Sequence, residues 1–111
     1  MQLISVQPGE ELLTSIARQL QLLEITSGAI VSLIGAVDSC GVVNMPAYDA
    51  MKEVRTEFEF PVQLTGTGEI VGGKPHIHCV LTGEDHKGIG GHLLWAKVES
   101  WFVNVYIIAN D

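Results

Sequence analysis

The stretch Lys74-Pro-His-Ile-His-Cys-Val-Leu-Thr-Gly-Glu-Asp-His-Lys-Gly-Ile-Gly-Gly-His-Leu93 holds every histidine of the chain: His76, His78, His86 and His92. His76-Ile77-His78, followed by apolar Val80 and Leu81, has the alternation of a β-strand, in which residues two apart share a face. Gly83 to Gly88, rich in glycine and charge, reads as a turn, and Ile89 onward as the returning strand. A hairpin pivoting about Asp85 sets position 78 opposite position 92. Directly opposed residues on one face have Cβ atoms roughly 4.5 to 5.5 Å apart, so His92 is expected beside His76 and His78. A slip of one residue would turn it to the other face. His86, at the turn tip, reads as a solvated side chain.

Working outward, Gly72-Gly73-Lys74-Pro75 is a tight turn leading into this hairpin. Before it, Val54, Phe58, Phe60, Val62 and Leu64 alternate with Arg55, Glu57, Glu59 and Gln63, which predicts one long half-buried strand from Glu53 to Val71 with Pro61 at an edge or bulge. Ala29 to Val37 is short and β-branched, and reads as a strand buried on both faces, with Gly35 marking a bulge or a close backbone approach. Asp38-Ser39-Cys40-Gly41 is expected to turn the chain, Val42 to Met45 to pair back, and Pro46 to Lys52 to form a surface loop. Gln2 to Val6 reads as a first strand ending at Pro8-Gly9. Leu12, Leu13, Ile16, Leu20 and Leu23 recur at helical spacing, which predicts an amphipathic helix from Glu10 to Glu24 with Gly28 as its stop. After the hairpin, Leu93 to Ala109 is apolar on both sides. Trp101, Val103, Val105 and Ile107 are expected on one face, and Phe102, Tyr106 and Ile108 on the other with Asn104 among them.

The chain's 111 residues form one domain, 1–111, and 47% of them are hydrophobic, a high share for so small an interior. Some apolar surface is therefore expected to lie between subunits. No apolar run approaches the roughly 20 residues of a membrane helix, and the start lacks the pattern of a secretory signal. A cytoplasmic protein is expected. Cys40 and Cys79 are not spaced as C-x-x-C and read as buried reduced thiols. The net charge of −7, with only 6 scattered Lys and Arg residues, opposes unspecific phosphate contact. Direct DNA binding is not expected.

Three imidazoles with a fourth position left to water form an open zinc site, so His76, His78 and His92 are the candidate ligands for zinc or another divalent metal. An alternative role is to hydrogen-bond neighbouring carbonyls or one another. Catalysis would also need a positioned base. Glu57, Glu59, Asp85 and Glu99 are available, yet alternating strand carboxylates usually form a solvated face. Gly88-Ile-Gly90-Gly91 precedes a strand and not a helix, which excludes a phosphate cradle. Gly90 and Gly91 are expected to shape the pocket beside His92 by letting backbone approach. Trp95 and Trp101 read as core or interface residues.

Gly73-Lys-Pro-His-Ile-His78, Gly90-Gly-His-Leu93, the Gly35-Ala36-Val37 strand and the Phe58-to-Gly66 strand ending in Leu-Thr-Gly together resemble the PPC domain, conserved in plants and prokaryotes. The likeness covers almost the whole chain. It implies an α+β fold, mostly antiparallel β-sheet with one main amphipathic helix packed on it, assembled as a homotrimer. In plants the domain is joined to AT-hook peptides that act on AT-rich DNA; no Arg-Gly-Arg-Pro segment occurs here. The resemblance is to stand-alone prokaryotic members, labelled DNA-binding by association. The last strand departs from the family pattern, which places a Glu near the position held by Asn104. If that Glu completes a site, Asn104 alters it.

Three functions follow as expectations. The leading one is a non-enzymatic homotrimeric module for assembly or ligand binding, with a protein partner or small ligand and a three-histidine metal pocket. A zinc-dependent enzyme acting on a small molecule is the alternative. A DNA-binding or transcription-associated regulator is the third, and the charge opposes it.

Overall fold

A computed structural model describes residues 1–110 of the chain. The elements are β1 (Gln2–Val6), β2 (Glu10–Glu11), α1 (Leu12–Leu22), β3 (Ser27–Val37), β4 (Ser39–Asn44), β5 (Val54–Phe58), β6 (Val62–Val71), β7 (Lys74–Thr82), β8 (Gly88–Val98) and β9 (Val103–Ala109). All strands join one antiparallel sheet in the order β1-β9-β3-β6-β7-β8-β4-β5, with β2 added to β8. One helix packed on a mostly antiparallel sheet is the expected α+β class.

The helix is shorter than its apolar spacing predicts, and its ends explain why. Glu10 and Glu11 pair with Val98 and Lys97 of β8 instead of opening the helix. The Glu11 carboxylate then caps α1, accepting from Leu13 N at 3.0 Å and Thr14 N at 2.9 Å, and also accepts from Ala96 N on β8 at 2.9 Å. One carboxylate therefore satisfies two orphan helix donors and ties the helix to the sheet. At the other end Glu24, with φ of 58°, takes the left-handed position just past the helix, and Gly28, the expected stop, already belongs to β3. Leu12, Ile16 and Leu20 are fully buried on one face of α1, each stabilising the fold by roughly 1.5 to 3 kcal/mol.

Asp38 does not begin a turn. It is a corner at which a nearly continuous strand leaves one neighbour and joins another: β3 lies between β9 and β6, whereas β4 lies between β8 and β5. The corner is fastened to the turn between β8 and β9. Asp38 N donates to Lys97 O at 2.8 Å, and the Asp38 carboxylate accepts from Glu99 N at 2.8 Å, from Ser100 N at 2.9 Å and from the Ser100 hydroxyl. The Ser100 contacts above all hold this carboxyl below its ordinary range.

The single strand expected over Glu53 to Val71 is two strands. Pro61 has no N–H for a ladder, and the chain breaks at Glu59 to Pro61. β6 continues between β3 and β7, while β5 forms the far edge beside β4. The last segment divides likewise: β8 ends at Val98 and residues 99–102 turn into β9. Trp101 sits in that turn, 65% exposed, and not with Val103, Val105 and Ile107, which are fully buried. β3 is buried on one face only, since Ile34 is 56% exposed, and it carries a bulge after Ile30. Gly35 marks a close approach, because a Cβ there would meet Phe102 O at 2.0 Å. Among the described residues no helix is long and apolar enough to cross a membrane.

Candidate metal centre and the groove beside it

The β7–β8 hairpin has the register that pivots about Asp85: His78 pairs with His92, and Leu81 with Ile89. His86, in the turn, is exposed with φ of 65°. Along β7 the inward residues Ile77, Cys79 and Leu81 are buried, which forces His76, His78 and Val80 onto the outer face. His92 lies on that face because its partner does. The Nε2 of His76 stands 3.0 Å from Nδ1 of His92, and the ring centroids of the three imidazoles are 4.7 to 5.6 Å apart. One nitrogen from each ring can be chosen so that all three lie within 4.8 Å of one another.

The donor set fits a tetrahedral ion. Two imidazoles bound at about 2.05 Å around a tetrahedral centre have nitrogens about 3.3 Å apart, and His76 and His92 already stand close to that spacing. His78 offers a nitrogen within 4.8 Å of both. Burial, reinforced by His76 and His78, lowers the His92 pKa below the ordinary imidazole value, against the opposing pull of the Glu53 carboxylate. The neutral ring that binds a metal is thereby favoured.

Cross-strand pairing extends the site sideways. Arg55 pairs with Val43, Val43 with His92, His92 with His78 and His78 with Thr67, so these five residues form one row on the outer face across β5, β4, β8, β7 and β6. The loop from Met45 to Glu53 rises over this row. Between loop and sheet lies an open groove of about 850 Å³, lined by His78 and His92 and by Asn44, Met51, Glu53 and Arg55 among others. Glu53 accepts from Arg55 Nε at 2.9 Å and lies 2.9 Å from Nη2. Its influence on His92 follows from this placement.

Gly90 and Gly91 also line the groove. Asn44 donates to Gly90 O at 2.8 Å, and a Cβ on Gly91 would meet the Asn44 amide at 2.7 Å. Asn104 does not reach the groove within this chain. It lies on β9, which β3 and β6 separate from β7, in the row Asn104, Ile34, Thr65, Val80. Glu53, Arg55 and Asn44 escaped the sequence reading. Arg55 and Glu57 were legible only as the polar side of a strand, and nothing local announces that β5 lies beside the histidines. The other carboxylates considered there, Glu57, Glu59, Asp85 and Glu99, do not line this groove. Both cysteines are buried and free, and burial pushes each thiol pKa up to about 11, which leaves them unreactive.

The fold has clear relatives among solved structures. A protein from Ralstonia eutropha JMP134, provisionally called DNA-binding, superposes with a TM-score of 0.82 at 21% identity, covering 97% of this chain and 76% of its own. The metal-containing protein of Archaeoglobus fulgidus gives 0.74 at 29% identity, covering 98% and 80%. A plant- and prokaryote-conserved protein of Pyrococcus horikoshii gives 0.74 at 22%, covering 99% and 80%. No curated protein matches the chain. The model of the Plants and Prokaryotes Conserved domain matches residues 1–110, and with that extent of agreement the chain belongs to this domain family.

Proposed function

We propose that the chain is a homotrimeric ligand-binding module whose His76, His78 and His92 hold a divalent ion, with zinc favoured by three imidazole donors. The observation that carries this is the convergence of three ring nitrogens on one sheet face beside an open groove. The similar Archaeoglobus fulgidus protein, called metal-containing, supports it. Such an ion would supply a Lewis-acid centre with one position open to a ligand entering from the groove.

Assembly is supported by the apolar character of the same face. Ile34 and Val80 lie in one outer row, and each is about half exposed in the single chain, 56% and 49%. An antiparallel sheet can leave one face to water, but exposed apolar side chains gathered on that face mark an interaction surface. Metal analysis of tag-free protein tests the site: about one zinc-class ion per chain is expected, and none in a His76→Ala/His92→Ala double variant. Sedimentation tests the assembly, and a monomer at micromolar concentration would refute it. A regulatory role on DNA has its support in the descriptions given to similar proteins of Ralstonia eutropha and Bacteroides thetaiotaomicron, and a net charge of −7 opposes it. A duplex retarded at physiological salt would reverse that judgement.

A further inference from the structure

We infer that the groove beside the histidines takes a small organic carboxylate, whose anionic end bridges the metal and Arg55 and whose short apolar chain lies along the groove. This rests on the metal reading above and adds the class of ligand. Arg55 stands in the same cross-strand row as His92, two strands away. With strands about 4.8 Å apart, their Cα atoms are about 10 Å apart. A guanidinium reaching inward along the groove floor can share a carboxylate with an ion held at His92.

Arg55 and Lys52 both line this groove, in a chain with only 6 basic residues against 13 acidic ones. Positive charge is scarce on this molecule, and here it borders the imidazoles. Glu53 occupies Arg55 through a single oxygen, and both side chains of the pair are more than half exposed, 66% and 57%. Exposed pairs contribute about 0.2 to 1 kcal/mol, so an incoming carboxylate that also ligates the metal can displace Glu53. In the free protein Glu53 holds the place of the ligand's charged end. Val43, Leu94, Met45 and Met51 form the apolar part of the wall, and methionines adapt to chains of irregular shape.

The experiment uses the assembled protein loaded with Co²⁺, whose visible absorption reports its coordination, titrated with hexanoate and with hexanamide. Hexanoate is expected to change the cobalt spectrum saturably, whereas hexanamide, lacking the charge, has little effect. Arg55→Gln should bind cobalt normally and weaken hexanoate by about tenfold or more, as loss of a charge-assisted contact does. Glu53→Gln should tighten hexanoate by about two- to fivefold, since the competing carboxylate is gone. Cobalt bound with no response to hexanoate would overturn the inference and leave the metal reading standing. Equal response to the amide, unchanged affinity in Arg55→Gln, or weaker binding in Glu53→Gln would also overturn it. Failure to bind cobalt at all would overturn both.

Discussion

The β7–β8 hairpin carries two faces one side chain apart, and they have opposite tasks. On the inner face Ile77, Cys79 and Leu81 pack against the core that α1 closes, with Leu81 fully buried. On the outer face His76, His78 and His92 meet in a cluster open to the groove. The first set is what apolar burial demands of a strand; the second contributes little to that burial. Alternation lets one strand serve both, because stability and chemistry occupy residues that never touch the same surroundings.

The separation can be broken from either side. Leu81→Ala should have the largest effect, lowering stability by about 2 to 5 kcal/mol as other buried leucines do. Chemical unfolding measures it, and any variant still folded should keep its affinity for metal. His92→Ala should do the reverse, weakening the proposed metal site by roughly 100-fold, or about 2.7 kcal/mol. The unfolding midpoint of the metal-free protein would stay close to that of the parent. A large loss of metal-free stability in this variant would show that the outer face also supports the fold.

Gly90 is where the two faces cannot be separated. A Cβ there would meet Cys79 O at 2.0 Å, a backbone atom that cannot swing aside. Gly90→Ala should therefore cost about 1 to 3 kcal/mol and should also disturb metal binding, since the β7–β8 register aligns His92 with His78. Calorimetry and metal titration on one sample check both. If stability fell and metal binding held, the register would be set elsewhere, by the inner face alone.

The smallest effect is with pH. His92 has its folded pKa below the ordinary 6.5, so just below that value the unfolded chain binds more protons than the folded one. Stability of the metal-free protein should rise with pH through the window below about 6.5 and fall as pH drops through it. His92→Gln should flatten that part of the profile, measured as the urea midpoint against pH. The Asp38 carboxyl, also lowered but in the acid range, should leave this window unchanged.

The family and the three-histidine face were legible in the residues, and the geometry of the hairpin shows why. Its strands are adjacent in sequence, its turn is short, and its period of two is local, so a pivot at Asp85 places His92 without knowledge of the rest. The helix was equally legible in its apolar spacing. Its ends were not, because Glu10 and Glu11 pair with β8 and Glu11 also bonds Ala96, partners 85 or more positions away in sequence.

What the chain determined by itself was therefore each strand's inward and outward side, since alternation is written in neighbouring residues. Only the tertiary structure decided which strands lie side by side. The corner at Asp38 carries β4 to the far side of β8, and the break at Pro61 sends β5 after it while β6 stays with β7. Those two choices set Arg55 in line with the histidines and bring Glu53 beside it. Partner choice depends on contacts between distant parts of the chain, and no local period encodes them.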